Sequence, residues 1–295
     1  VPGPSPHRTR LLDVLVVANL GLGASFRANA ALYLRAARRL VRRAGILDLS
    51  SSLVELAAPP AARLAIILDK DASTAEALRT AGARVVNGPE AILACDDKRR
   101  TDALLAAAGL GIPDSILLPP LYPKQPLDEA LLVGVVERLG LPLVVKEAKG
   151  SFGSKVHLAA SLEDLVDIAT SLADRRLLAQ RFVASSAGRD RRIQVAAGRV
   201  IAAMERRSRG DFRANLSAGG IGLPYLPSER EASLAIAAAR AVGADNAGVD
   251  LLIDRTGEGS FVCEVNANAH IWRLSAITGI DVAEAALRCL LEEGA

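Results

Sequence analysis

In the first hundred residues, apolar runs of strand length alternate with helix-like stretches, and few folds accept that order. LLDVLVVA (11–18), RLAIILD (63–69) and ARVVN (83–87) read as strands. A helix runs from about Arg27 to Ala44 and is stopped by Gly45; STAEALRTAG (73–82) and PEAILAC (89–95) are helical too. Strands that alternate with helices build a parallel sheet covered on both faces. The turn NLGLGAS (19–25) contains a lone G-x-G. A plain strand-to-helix turn explains it better than a phosphate loop does.

The pattern changes at Asp96. A helix carries DDKRRTDALLAAAG (96–109), and PLVVKEA (142–148) is a strand. The polar loop KGSFGSK (149–155) follows, and VHLA (156–159) pairs back. SLEDLVDIATSLAD (161–174) is a helix and LLAQRFV (177–183) a strand. RIQVAAG (192–198) and RVIAAMERR (199–207) meet across the Ala197-Gly198 turn as a hairpin. Ser228 and Glu231 have capping-box spacing and start a further helix. A strand pair (248–266) and a helix (281–293) end the chain.

Composition narrows the function classes. A chain of 295 residues forms two or three subdomains. Aromatics at 3 % argue against a base-stacking platform, and a net charge of +3 gives no reason to expect a specific nucleic-acid partner. Cys95, Cys263 and Cys289 lack zinc or CxxC spacing, which fits free thiols in a reduced cytoplasm. No apolar run reaches the roughly 18 residues of a membrane span. The Pro-rich start VPGPSPHRTR reads as a flexible trimmed end or linker (1–10), not a signal peptide.

The stretch FVCEVNANAH (261–270) places Glu264 and Asn266 inside an apolar run. If the hairpin 248–266 is symmetric about Gly257, Asp250 lies opposite Glu264, and Asn266 shares their face. Val249, Leu251, Cys263 and Val265 then face the core. Two carboxylates that close repel unless a cation or proton lies between them, and oxygen donors of this kind suit Mg²⁺. A solvated strand face with incidental acids is the competing reading. Lys146 ends an apolar strand just before glycines whose backbone can approach a phosphate closely. Lys98 lies in DDKRR, and arginines cluster at 189–192 and 206–213. Glu205 and Arg207 share one strand face and Arg206 points the other way, so at most one of the two arginines enters a site.

In order, DDK (96–98), PLVVKEAKGSFGSKV (142–156), AGRDRRIQVAAGRVIAAMERR (187–207), GDFRANLSAGG (210–220), AGVDLL (247–252), EVN (264–266) and TGIDVA (278–283) resemble the RimK-like ATP-grasp carboxylate–amine ligases. LysX-type and glutathione-synthetase-type ligases are relatives of that branch. The resemblance implies a mixed α/β and α+β chain with the ATP-grasp fold. A Rossmann-like pre-ATP-grasp domain (11–95) precedes two α+β subdomains enclosing ATP, a central lid (96–186) and a C-terminal unit with the Mg site (187–295).

It also implies roles. Asp250, Glu264 and Asn266 match the metal ligands, with Mg²⁺ expected and Mn²⁺ as an alternative. Lys98 and Lys146 match lysines on the ATP phosphates, and Gly150, Ser151, Gly153 and Ser154 belong to the flap above them. Gln180, Arg181, Phe182 and Val183 match the strand whose backbone contacts adenine. Asp190 matches the ribose position. Arg207, Arg213 and Asn215 match residues lining the phosphates and the acyl phosphate, so Lys146, Arg207 and Arg213 are the expected catalytic set.

Two departures bear on specificity. Arg181 stands where the family usually has an acid. Asn266-Ala-Asn268-Ala-His270 replaces the common Asn-x-Ser-Pro-Gly, which places glutamate in doubt as the added amino acid. Arg192, Asn268 and His270 are candidate substrate contacts. For His270, a substrate-carboxylate contact or a proton shuttle competes with a cap before the next helix, and the cap is favoured.

The expected reaction joins a carboxylate to an amine through an acyl phosphate. The acceptor is an amino acid, a peptide, or a protein or carrier-protein tail. A homo-oligomer, dimer or tetramer, is expected. The alternatives are a nucleotide-binding regulator without ligase activity and a basic RNA- or ribosome-binding module.

Overall fold

Asn19 and Asp69 both follow strands of one parallel sheet, so they emerge at the same edge, where ligands of open α/β sheets bind. The computed structural model describes residues 11–120, 128–150, 155–214, 216, 219–257 and 259–293. The expected flexible start (1–10), Ser151, Gly153 and Ser154 of the flap, and Asn215 lie outside the described residues. The first sheet contains β1 (Leu12–Ala18), β2 (Ala44–Asp48), β3 (Ala62–Ile67) and β4 (Arg84–Val86), all parallel in the order β2-β1-β3-β4. Helices α1 (Ala24–Leu40) and α2 (Ala72–Thr80) connect its strands. The first helix ends at Leu40, not Ala44, because Ala44–Asp48 pairs with β1 as a strand. Leu47 of that strand is buried with Leu15, Val17 and Ile67.

Two helices, α3 (Pro89–Asp96) and α4 (Lys98–Ala107), lead out of this sheet. The Asp97 carboxylate caps α4 by accepting from the backbone N–H groups of Arg99 and Arg100. Leu105 of α4 packs in one core with Ile193, Val249 and Val265, beneath the last sheet.

The second sheet is antiparallel. Its strands are β5 (Ser115–Leu117), β6 (Leu143–Glu147), β7 (Val156–Ala159) and β8 (Leu177–Arg181), in the order β5-β8-β6-β7. Helices α5 (Glu129–Leu139) and α6 (Leu162–Ser171) cover it through Leu132, Leu139 and Leu165.

The third sheet comprises β9 (Arg189–Ala196), β10 (Arg199–Arg207), β11 (Ile221–Pro224), β12 (Asn246–Ile253) and β13 (Ser260–Asn266). It is antiparallel, in the order β11-β10-β9-β12-β13. Helix α7 (Glu229–Ala241) starts at the Ser228–Glu231 capping box; α8 (Trp272–Thr278) and α9 (Val282–Glu293) close the chain. Val14, Tyr33, Met204, Leu274 and Leu287 share one core, so the first and third sheets are packed together. The Asn87 side chain fastens that junction, donating to the carbonyls of Asn246 (2.8 Å) and Ala267 (2.7 Å).

Two bulges set the register of the third sheet. Val200 pairs with Val195 but Ala202 pairs with Gln194, so Ile201 is surplus in β10. Asp250 pairs with Glu264 but Leu251 pairs with Val262, so Cys263 is surplus in β13. A bulge puts two residues opposite one and re-aims the side chains beyond it.

Candidate active site

One rung of the third sheet carries the chemistry. Met204, Arg192, Asp250 and Glu264 are successive cross-strand partners, so their side chains stand on one face. Arg206 and Asp190 pair one step away on the same side. Arg192 chelates Asp250 with two hydrogen bonds of 2.6 Å. Arg206 chelates Asp190 in the same way and lies 2.9 Å from the second Asp250 oxygen. Asp250 and Arg206 are 4 % and 5 % exposed. Burial alone penalises such charges heavily. Here two guanidinium groups offset two carboxylates in bidentate geometry, the strong form of the pair. Burial opposes ionisation of Asp250, but Arg192 and Arg206 overcome it and hold its carboxyl below the usual range.

Two cavities open on this face. The smaller, about 110 Å³, lies between the second and third sheets. Lys146, 6 % exposed, enters it from β6, and its Nζ is 3.8 Å from Cys263 Sγ. Burial disfavours the Lys146 charge, yet Cys263, Asp102 and Glu264 outweigh it and keep its pKa raised. Lys98, at the start of α4, donates to the Gly150 carbonyl (2.9 Å) and sits 3.9 Å from Glu264 Oε1. Burial depresses the Lys98 pKa. Phe182 and Phe212 meet edge to face at 6.1 Å in the apolar part of this cavity. Gln180 and Val183 line it as well. The Gln180 amide is turned away, donating to Asp102 (3.0 Å) and Ser115 (2.9 Å). Arg181 lines the cavity while its guanidinium donates to Asp114.

The larger cavity, about 500 Å³, lies between the first and third sheets. Arg206 and Glu264 line both cavities and mark where they meet. Asn266, Asn268, His270 and Arg192 line the larger one, as does Gly150. Gly248 lets the 266–270 loop lie back on the sheet: a Cβ there would meet the Ala269 Cβ at 2.7 Å.

Asp250 and Glu264 are cross-strand partners and Asn266 lies two residues along β13 from Glu264; Asp250 lines the smaller cavity, Asn266 the larger and Glu264 both. Among the described residues, no group of three His, Cys, Asp or Glu side chains could hold a metal ion. The set here is two carboxylates and a carboxamide, hard oxygen donors of the kind Mg²⁺ takes alongside water and phosphate oxygens. Asn266 Nδ2 is buried with no hydrogen-bond partner among the described residues; it is an N–H donor, so only the Oδ1 of that side chain could face a cation. In donor type the set fits Mg²⁺, with both Asp250 oxygens also held by Arg192 and Arg206.

Three expectations are corrected. Arg207 stands on the outer face, paired with Glu205 at 2.5 Å and half exposed; the arginine in the cleft is Arg206. The Ile201 bulge sets the partner of Arg206: an unbroken ladder would pair it with Arg189, and the real ladder pairs it with Asp190. Cys263 faces the smaller cavity and not the core, because it is the surplus residue of its own bulge. His270 is not the cap of α8, whose N-cap is Ile271; its ring meets Phe26 edge to face at 4.5 Å in the larger cavity.

Asp190, expected at the ribose, lines the smaller cavity while held by Arg206. Arg213 lines it too, 2.8 Å from Asp211. Asp102 and Asp69 had no motif to mark them and are found only by the folding of distant elements; Phe212, inside the GDFRANLSAGG block, is not singled out there. Arg207→Ala should therefore leave activity within about twofold and cost at most ~1 kcal/mol, as for an exposed ion pair; steady-state ADP release and a thermal melt check it.

These sheets and the cleft between the second and third define an ATP-grasp architecture. The family model of the RimK-like ATP-grasp domain matches residues 95–290, and the chain belongs to that family. ATP binding follows from the fold. The chain is 37 % identical over 219 residues to beta-citrylglutamate synthase B of Danio rerio, covering 73 % of this chain and 52 % of that protein. It is 36 % identical over 206 residues to a probable alpha-L-glutamate ligase of Enterobacter sp. (strain 638), covering 68 % of this chain and 65 % of the relative. The matches thus span between about half and two thirds of these relatives. The ATP-grasp ligase PsnB, complexed with a phosphomimetic variant of minimal precursor, Mg and ADP, superposes with a TM-score of 0.71 at 18 % identity, covering 96 % of this chain and 99 % of PsnB. That likeness concerns the fold. Among the described residues, no helix is long and apolar enough to cross a membrane.

Proposed function

We propose that this chain is an ATP-dependent ligase that joins a carboxylate to an amine. The observation that carries the reading is the meeting of the two cavities at Arg206 and Glu264. Nucleotide occupies the smaller cavity, with its base among Phe182, Val183 and Phe212 and its phosphates toward Lys98 and Lys146. The acid and amine occupy the larger one. The carboxylate attacks the γ-phosphorus, giving an acyl phosphate and ADP; the amine then displaces phosphate, and the amide forms with loss of a proton. Charge spreads over the phosphoryl oxygens during transfer, so positioning and fixed cations do most of the catalysis.

Asp250, Glu264 and Asn266 would hold Mg²⁺, or Mn²⁺ in its place, and the ion when bound supplies neutralisation of phosphate charge. Lys146 and Arg206 are cations that the fold has already fixed in position, which lowers the reorganisation required during transfer. Both relatives' names speak of glutamate, and the acceptor here is an amino acid, a peptide or a protein tail. The working division is 11–95, 96–186 and 187–295, in a homo-oligomeric cytoplasmic enzyme.

The test is ADP release from MgATP across a panel of amino acids and peptides, with product masses read directly. A new mass equal to acid plus amine minus water supports the reading, and ATP binding without ADP release in any mixture refutes it. Lys146→Ala should weaken binding of a fluorescent ATP analogue by about tenfold to a hundredfold, as for loss of a charge-assisted contact. Unchanged affinity would remove Lys146 from the phosphate site.

A further inference from the structure

Most charges that line the larger cavity are answered within the protein. Lys70 pairs with Asp96, which Lys149 also approaches at 3.7 Å. Arg192 and Arg206 answer Asp190 and Asp250. Glu264 lies 3.9 Å from Lys98 and is taken up by the proposed metal. His270 adds no charge near neutral pH, because burial and then the Arg192 charge depress its pKa. Two charges of opposite sign are left over, and phosphoryl transfer uses neither.

Arg273, the second residue of α8, is the cation. Its guanidinium donates to the Leu216 carbonyl and lies 4.9 Å over the Trp272 ring. Among the described residues it forms no ion pair. A carbonyl at one nitrogen and an aromatic face beside the fork fix its plane without neutralising its charge. Asp69, two residues beyond β3, is the anion. Its Oδ1 accepts from the Asp71 backbone N–H at 3.0 Å. It too forms no ion pair among the described residues. Both side chains line the cavity and both residues are partly buried. Phe26, Leu22 and Met204 supply apolar wall. A cavity of about 500 Å³ holds a molecule of amino-acid to dipeptide size.

A zwitterion satisfies both leftover charges at once. A carboxylate takes a guanidinium fork through two parallel hydrogen bonds, and an ammonium pairs with a carboxylate. A molecule that carries only one of the two groups desolvates the other protein charge without pairing it, which costs affinity. We infer that the larger cavity binds a free amino acid or a dipeptide by both of its ends, the carboxylate on Arg273 and the ammonium on Asp69. The two residues are thus specificity-determining contacts for the amine component of the ligation. The inference deepens the ligase reading and rests on it only for what happens to the molecule once bound.

Trp272 is the sole tryptophan of the chain and lines the cavity, so its emission reports occupancy. The full chain is titrated with the standard amino acids and L-alanyl-L-alanine, with and without Mg²⁺ and a non-hydrolysable ATP analogue. At least one of these compounds should bind saturably. Its N-acetyl form and its C-terminal amide, each lacking one charge, should bind about tenfold more weakly or worse, as for loss of one charge-assisted contact. Arg273→Gln, followed by calorimetry, should bring the parent compound level with its amide, and Asp69→Asn should bring it level with its N-acetyl form. No saturable binding by any compound, a blocked form binding as tightly as its parent, or a full amide penalty persisting in Arg273→Gln overturns the inference. The wild-type comparison of the three forms decides it even where a variant loses its fold. ADP release from MgATP is read in parallel. Zwitterion binding with no ADP release in any mixture sinks the ligase reading alone. Ligated product with blocked forms binding as tightly as the parent sinks this inference alone.

Discussion

Replacing Glu264 with Ala is expected to lower MgATP-dependent ADP release by about 10³-fold, corresponding to roughly 4 kcal/mol of transition-state stabilisation. Glu264 stands at the meeting point of both cavities and is the cross-strand partner of Asp250. Its side chain is partly exposed and takes no part in the buried arginine network, with Lys98 at 3.9 Å its recorded ion-pair partner. The fold therefore survives the change, and the thermal midpoint should move by no more than a few degrees. An unaltered rate in the presence of saturating Mg²⁺ would remove Glu264 from the metal set and leave Asp250 and Asn266 too few to hold the ion.

The second large effect belongs to Arg206. Arg206→Met keeps the length and apolar stem but leaves Asp190 and Asp250 to share one remaining guanidinium, that of Arg192. Removing one partner of a buried pair typically costs about 3–5 kcal/mol, because the other charge stays buried. For a chain of this size that corresponds to a fall in thermal midpoint on the order of 10 °C. Nucleotide turnover should fall with it, since Arg206 lines both cavities. The double variant Arg206→Met with Asp190→Leu separates the two roles. Stability should recover in large part, because the stranded acid is gone, and turnover should not. Recovery of both would make Arg206 a purely structural residue.

Much of this arrangement was legible in the residues themselves. The alternation before residue 95 reports a parallel sheet because each run is short, apolar and bounded by turns. The Asp250–Glu264 pairing agrees with a count about Gly257 only because of the Cys263 bulge: the turn sets Ile253 against Ser260, a register that would bring Cys263 opposite Asp250. What escaped has a physical cause in each case. β5, three residues long, and α5 hold their place through tertiary contacts with β8 and β6, not through a strong local pattern. In AGILD (44–48), Ala44 reads as the end of a helix stopped by Gly45, and nothing marks the segment as a strand until β1 is there to pair with it. Asp69, Phe26 and Trp272 lie in separate segments of the sequence, and only the packing of the first sheet on the third brings them to one cavity.

Ile201 and Cys263, one surplus residue in each of two strands, act as gears between the linear code and the working surface. Were Ile201 paired as an ordinary rung instead of bulged out, the outer half of its strand would fall back one notch, setting Arg206 against Arg189 and parting the guanidinium from its acid. Anyone transplanting this catalytic sheet into another scaffold, or aligning it to a cousin by spacing alone, must keep both bulges, for in an unbroken ladder the same letters assemble a different machine.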